Sequence, residues 1–147
     1  MREKGFSVIV IEKDMMNSEV GFGRRVLEVL ENHDLCFEHL PSGIDTMSVI
    51  VNDNDFLPQK DAIISEIQRK TKADAINVHG GIALIACVGR GMTGSKGTAG
   101  RMFKAIADNG VNIRMIDQGS SELNIIVGVD EEDYIATLNA IYNEFVK

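Results

Sequence analysis

Gly89, Gly91 and Gly94 follow the apolar run "IALIACV" in the order G-x-G-x-x-G, and Lys96 stands two residues further on. Between a strand and a helix, such a run can cradle phosphate with backbone N–H groups, so nucleotide binding through residues 89–100 is one chemistry to weigh. The match to each nucleotide motif is partial. A P-loop places lysine directly after its last glycine, whereas here Ser95 intervenes and Gly97 follows Lys96. A dinucleotide fold needs alternating strands and helices around the loop. His33, His39 and His79 are scattered, with no serine, cysteine or ligand cluster at a useful spacing, so neither a catalytic residue nor a metal centre is expected. Cys36 and Cys87 stand singly in apolar runs and read as reduced, buried thiols.

The bulk properties narrow the choice of ligand. Among 147 residues, 22 acidic against 15 basic give a net charge of −7. That field disfavours nucleic acid and anionic membrane, and suits a small cationic or zwitterionic ligand. No apolar run approaches the roughly 20 residues that span a bilayer, and "MREKGFSV" lacks the apolar core of a signal peptide. A cytoplasmic protein is expected.

The elements that must position any site are written twice. Residues 8–51 lie over 85–127 with one residue dropped near Asp34, which sets Ser18 on Ser95, Gly23-Arg24 on Gly100-Arg101 and "MSVIV" on "LNIIV". In the first copy the turn matching 89–100 is "EKDMMNSEVG", with one glycine at its end. A shared architecture therefore makes the glycine run a strand-to-helix turn before it makes it a nucleotide loop.

Periodicity predicts strand 6–12, helix 20–32, strands 35–41 and 46–52, helix 58–71 and strand 73–81 in the first copy. Val26, Leu27, Val29 and Leu30, and then Ile63, Ile64 and Ile67, form the buried helix faces, while "NDNDF" at 52–56 reads as a solvated loop before Pro58. The second copy gives strand 82–88, helix 97–109, strands 111–118 and 122–129, and helix 131–145. Tyr134, Leu138, Ile141, Tyr142 and Phe145 read as the inner stripe of that last helix. The fold class is α+β, each copy an antiparallel βαββαβ unit, at 5–80 and 81–147. The second lacks its fourth strand, an open edge that predicts a fragment of a longer chain or a covering partner.

At "MNSEVGFGRRVLEVLENHDLCFEHLPSGIDTMSVIV" and "GVNIRMIDQGSSELNIIVGV" the chain resembles the C-terminal regulatory region of an aspartate kinase, a tandem pair of ferredoxin-like ACT domains. The resemblance covers essentially the whole chain. It implies an allosteric module that binds lysine or threonine and inhibits phosphorylation of aspartate by ATP, an early step towards lysine, threonine and methionine. ATP and Mg belong to the kinase domain of the parent chain, so no cofactor and no catalysis are expected of these residues alone. It also implies a homodimer through ACT domains with sheets side by side.

An amino acid offers a carboxylate, an ammonium and a side chain, and the first copy has a candidate for each. The N-terminus of the helix near residue 20 presents N–H groups and a positive dipole end to a carboxylate. Gly21 and Gly23, flanking Phe22, allow close approach to that backbone. Ser18 is placed to cap the turn, and Met16 lies beside it. Backbone carbonyls near Phe37 suit the ammonium, and Ser42 offers a hydroxyl. By the resemblance, Glu38 holds a lysine side chain, and Asn112 and Ile113 reach an effector when the second unit packs on the first unit of a partner chain. Arg114 aligns with Glu38, so the second copy is expected to be structural and not to hold a cation. Two other readings stay open: a ligand-free dimerisation module, and a nucleotide-binding domain using 89–100.

Overall fold

The computed structural model describes residues 4–88, 96–118 and 124–146. They divide into two compact units, 5–80 and 81–146, with Lys4 belonging to the second.

In the first unit the chain runs β1 (Phe6–Glu12), α1 (Phe22–Asn32), β2 (Phe37–His39), β3 (Thr46–Asn52), α2 (Asp53–Phe56), α3 (Lys60–Thr71) and the opening half of β4 (Ala75–Val88). Strand order is β2-β3-β1-β4. β1 and β3 pair antiparallel without a break, from Phe6 opposite Asn52 to Glu12 opposite Thr46. Successive strand residues point to opposite faces, so Ile9 and Ile11 join Met47, Val49 and Val51 on one side. There they meet Val26, Val29 and Leu30 of α1 and Ile63 and Ile67 of α3 in a single core.

Four sequence expectations shift here. "NDNDF" is no solvated loop: Asn52 caps Asn54 through its side chain, Asp53–Phe56 forms a helical turn, and Phe56 is fully buried in the core. Ser7 Oγ donates to Asp53 Oδ1 at 2.5 Å, and Asp53 N–H donates to the Gly5 carbonyl at 2.8 Å, so the turn is tied down at both ends of its first residue. β2 is three residues and not seven, because its register against β3 shifts between Phe37 and His39 as a bulge does. Cys36, read as a buried thiol, is exposed at the start of that edge strand. Gly80 and Gly81, expected to end one strand before the next, lie inside the continuous strand β4, Gly81 with φ at 67°.

The second unit repeats the plan. β4 pairs with β6 (Asn124–Asp130) from Ile82 opposite Asp130 to Val88 opposite Asn124, and β5 (Ile113–Asp117) lies on the other side of β6. α4 (Thr98–Asp108) and α5 (Tyr134–Phe145) bring Met102, Ile106 and Tyr134 onto Ile85, Ile125 and Val127. Among the described residues no fourth strand joins this unit. Gly128 marks a close approach of β6 to β5, since a Cβ there would stand 3.0 Å from Met115 Cβ.

α5 is turned from its expected setting. Tyr134, Thr137 and Ala140 are buried and Ile141 and Phe145 partly so, while Leu138 and Tyr142 face outward. A helix apolar nearly all round gives periodicity no contrast with which to choose a face. The pairing of the two halves also moves by one residue. Gly21 (φ 85°) and Gly97 (φ 82°) are the N-caps of α1 and α4, so Gly97 takes the place of Gly21, one residue earlier than matching Gly23 with Gly100 implies.

Candidate functional site

The site begins where β1 gives way to α1. A single 3-10 turn, Met16–Ser18, is followed by Gly21 in the left-handed region, a conformation that costs any residue with a Cβ. Gly21 supplies no side-chain cap, and Ser18, expected to cap the turn, does not do so. The Phe22 N–H donates to the Glu19 carbonyl at 3.3 Å, and the Arg25 N–H begins the helical ladder at the Gly21 carbonyl, 3.0 Å away. The N–H groups of Gly23 and Arg24 are left without an intrahelical acceptor. A Cβ built on Gly23 meets nothing within 4 Å, so the backbone there is open to a ligand. The opening continues along α1 as a groove of about 700 Å³ past Arg24, Leu27, Glu28 and Glu31.

Three charged residues that the sequence reading did not single out surround this helix start. Lys13 Nζ lies 2.9 Å from Glu19 Oε1 and donates to the Thr71 carbonyl at 2.7 Å, while Arg25 pairs with the other Glu19 oxygen. Both cations also lie over the Phe22 ring, 5.8 and 6.0 Å from its centroid. The hydrogen bond from Lys13 is the main cause holding the Glu19 carboxyl below its ordinary value of 4.5, with partial desolvation opposing it and the charges of Lys13 and Arg25 assisting. A carboxylate whose pKa is lowered by folding stabilises the fold above its unfolded pKa and loses that contribution as pH falls through the folded one. Acidification from about pH 5 downward should therefore lower the urea midpoint of the native chain more than that of a Glu19→Gln variant.

The predicted residues divide by position. Met16, Ser18, Gly21, Phe22 and Gly23 gather at the start of α1, and Ser42 reaches the same end of the unit, since the Asn17 N–H donates to the Ile44 carbonyl at 3.0 Å. Met16 and Phe22 are buried, so they support the turn from beneath. The Ser42 hydroxyl is exposed and donates to the Leu40 carbonyl at 3.2 Å. Phe37 lies further along, where it lines a second groove of about 360 Å³ with Leu27, Leu30, Leu35 and Cys36. Glu38 is exposed beside it and, among the described residues, has no ion-pair partner. Asn112 and Ile113 belong to the other unit, Asn112 exposed before β5 and Ile113 packed on that unit's core. Arg114, aligned with Glu38, is engaged by Asp130 at 2.6 Å.

The other chemical candidates are modest. His33 lies 3.1 Å from Gln59 Oε1 and 3.3 Å from Glu66, a polar link between the end of α1 and α3. Asp130, Glu132 and Asp133 bring carboxylate oxygens within 4.8 Å of one another, but Asp130 is already paired with Arg114. Residues 89–95 of the glycine run lie outside the described residues; Lys96 beyond them is exposed. Among the described residues, no helix is long and apolar enough to cross a membrane.

Residues 85–145 match the ACT domain family. Aspartokinase 3 of Bacillus subtilis is 42% identical over 144 residues, 97% of this chain and 32% of its own length. The chain thus spans about a third of that relative. The crystal structure of Clostridium acetobutylicum aspartate kinase superposes with a TM-score of 0.94 at 48% identity, over 97% of this chain and 33% of that one. The complex of E. coli aspartokinase III with lysine and aspartate, in its T-state, shares the fold at a TM-score of 0.76 and 18% identity, over 98% of this chain and 32% of that one. With its two units of one plan aligned along nearly their whole length to about a third of the length of aspartate kinases, the chain belongs to the ACT-domain regulatory region of the aspartate kinase family.

Proposed function

We propose that the chain is the amino-acid sensor of an aspartate kinase, in which the 5–80 unit binds an end-product amino acid, lysine in preference to threonine, and inhibits phosphorylation of aspartate by ATP. The observation that carries this reading is the open start of α1, where unengaged N–H groups at Gly23 and Arg24 coincide with free space above Gly23 and cations at Lys13 and Arg25. That set suits a carboxylate. Glu38, exposed and without an ion-pair partner among the described residues, suits the cationic end of lysine. The lysine complex solved for E. coli aspartokinase III, whose fold this chain shares, favours the same effector class.

A side-by-side homodimer completes the reading. β2 is an edge strand, short and bulged, with Phe37 44% exposed above an apolar groove, a surface that a second edge can cover. In such a dimer, Asn112 and Ile113 of one chain approach the effector held by its partner. Titration calorimetry of the whole chain tests the reading: lysine should release heat, and Glu38→Ala should raise its Kd about tenfold or more while leaving that of threonine unchanged. Lysine binding that is indifferent to Glu38→Ala removes that residue from the site, and absence of heat for both amino acids removes the reading itself.

A further inference from the structure

The outer face of α5 is built unlike any other exposed helix surface of the described chain. Ile135, Leu138 and Tyr142 follow one another at intervals of three and four residues, a seam down one side of α5, and Val146, the extended residue that ends the helix, follows four residues later. They are 59%, 37%, 61% and 53% exposed. Together they present on the order of 300–400 Å² of apolar surface, the size at which exposed patches mark interfaces. From Tyr134 to Asn143 the helix carries no charged residue, and the polar side chains flanking the seam are Asn139 and Asn143. Glu144, the next charge, is held away from the seam by Arg101 at 2.9 Å.

The sister helix makes the contrast internal to the molecule. α3 and α5 are both 12 residues long and hold the same place in their units, so Lys60 corresponds to Tyr134. Position by position, the exposed residues Asp61, Gln68 and Arg69 of α3 become Ile135, Tyr142 and Asn143 in α5. One copy of the duplicated plan keeps a solvated face where the other has lost its charges.

We propose that the outer face of α5 is a self-association surface that docks antiparallel on α5 of a second copy of this chain. Four features select a copy of itself as the occupant. The seam is self-complementary about a two-fold axis that crosses it midway between Leu138 and Tyr142, so that Ile135 meets Val146 and Leu138 meets Tyr142 of the other copy. Antiparallel helices also oppose their dipoles favourably. Each chain carries a net charge of −7, so two copies repel, and a face free of charge is where they can meet at least electrostatic cost. Asn139 and Asn143 each donate and accept, so they pair across the axis without mismatch. The two seams together bury about 600–800 Å², and the flanking polar side chains bring the whole contact to about 1,000 Å², the lower end for a specific pair, which sets the expected Kd in the micromolar range. This surface is independent of the β2 edge and of any effector.

Sedimentation of the whole chain at about 100 μM, well above a micromolar Kd, tests it. One variant carries Asn139→Asp with Asn143→Asp and another Asn139→Lys with Asn143→Lys. Each alone should sediment at half the native mass and should match the native melting temperature when both are compared well below that Kd, because the positions are exposed. An equimolar mixture should restore the native mass. Tyr142→Ala, which adds no charge, should weaken association about tenfold. A native chain that is monomeric at that concentration overturns the proposal. So do charged variants that keep the native mass, or folded variants whose mixture fails to reassociate.

Discussion

Replacing Phe56 by alanine should lower the unfolding free energy of the chain by about 3–5 kcal/mol, measured by urea denaturation. The ring is fully buried at the end of a four-residue helical turn, inside the core that Ile9, Val49 and Ile63 share. Removing it deletes the transfer free energy of an aromatic side chain and leaves a cavity that these neighbours cannot fill, because strands β1 and β3 are fixed by an unbroken ladder. Leu57→Ala supplies the contrast. That side chain is half exposed one residue later, so its loss should cost less than about 1 kcal/mol. Equal losses from the two variants would show that the turn is loose and that Phe56 does not anchor it.

The same residue shows where a sequence stops being legible. β1 and β3 are readable to the residue, since each is a mostly apolar, mostly buried run of seven residues between polar or glycine breaks. Phe56 was not, because one aromatic after four polar residues has no period. The available signal was Asn52, an Asx cap placed two residues before the N–H it accepts. β2 was over-extended because a bulge adds a residue without changing composition. α5 failed for the opposite reason. Its apolar residues are so many that the buried face could be drawn through Leu138 and Tyr142 as easily as through Thr137 and Ala140, and Thr137, the polar choice, is satisfied internally by donating to the Asp133 carbonyl at 2.7 Å.

The candidate site divides in the same way. Gly21 at the start of α1 is legible because a positive φ has few residue types to choose from, and Gly23 because it leaves the backbone open. The triad of Lys13, Glu19 and Arg25 was invisible, since its members are spaced by six residues in a turn with no regular period and meet only because the 3-10 turn folds back. Phe22, read as a ligand contact, proves to be the buried plate over which both cations lie.

That triad yields two expected results of opposite sign. If Glu19 occupies the cations that a ligand carboxylate would engage, removing its charge frees them, and Glu19→Gln should lower the Kd of the bound amino acid about tenfold. Lys13→Met removes one cation and leaves Arg25 fully committed to Glu19, so the Kd should rise by about ten- to a hundredfold, the worth of a charge-assisted hydrogen bond in a half-buried setting. Simple loss of structure cannot produce the first result, because Glu19→Gln removes a stabilising ion pair and can only loosen the turn. Calorimetric titration of both variants decides the matter. Weaker binding in both would mean that Glu19 itself holds the ligand, most simply its ammonium, and that the carboxylate rests on the α1 amides alone.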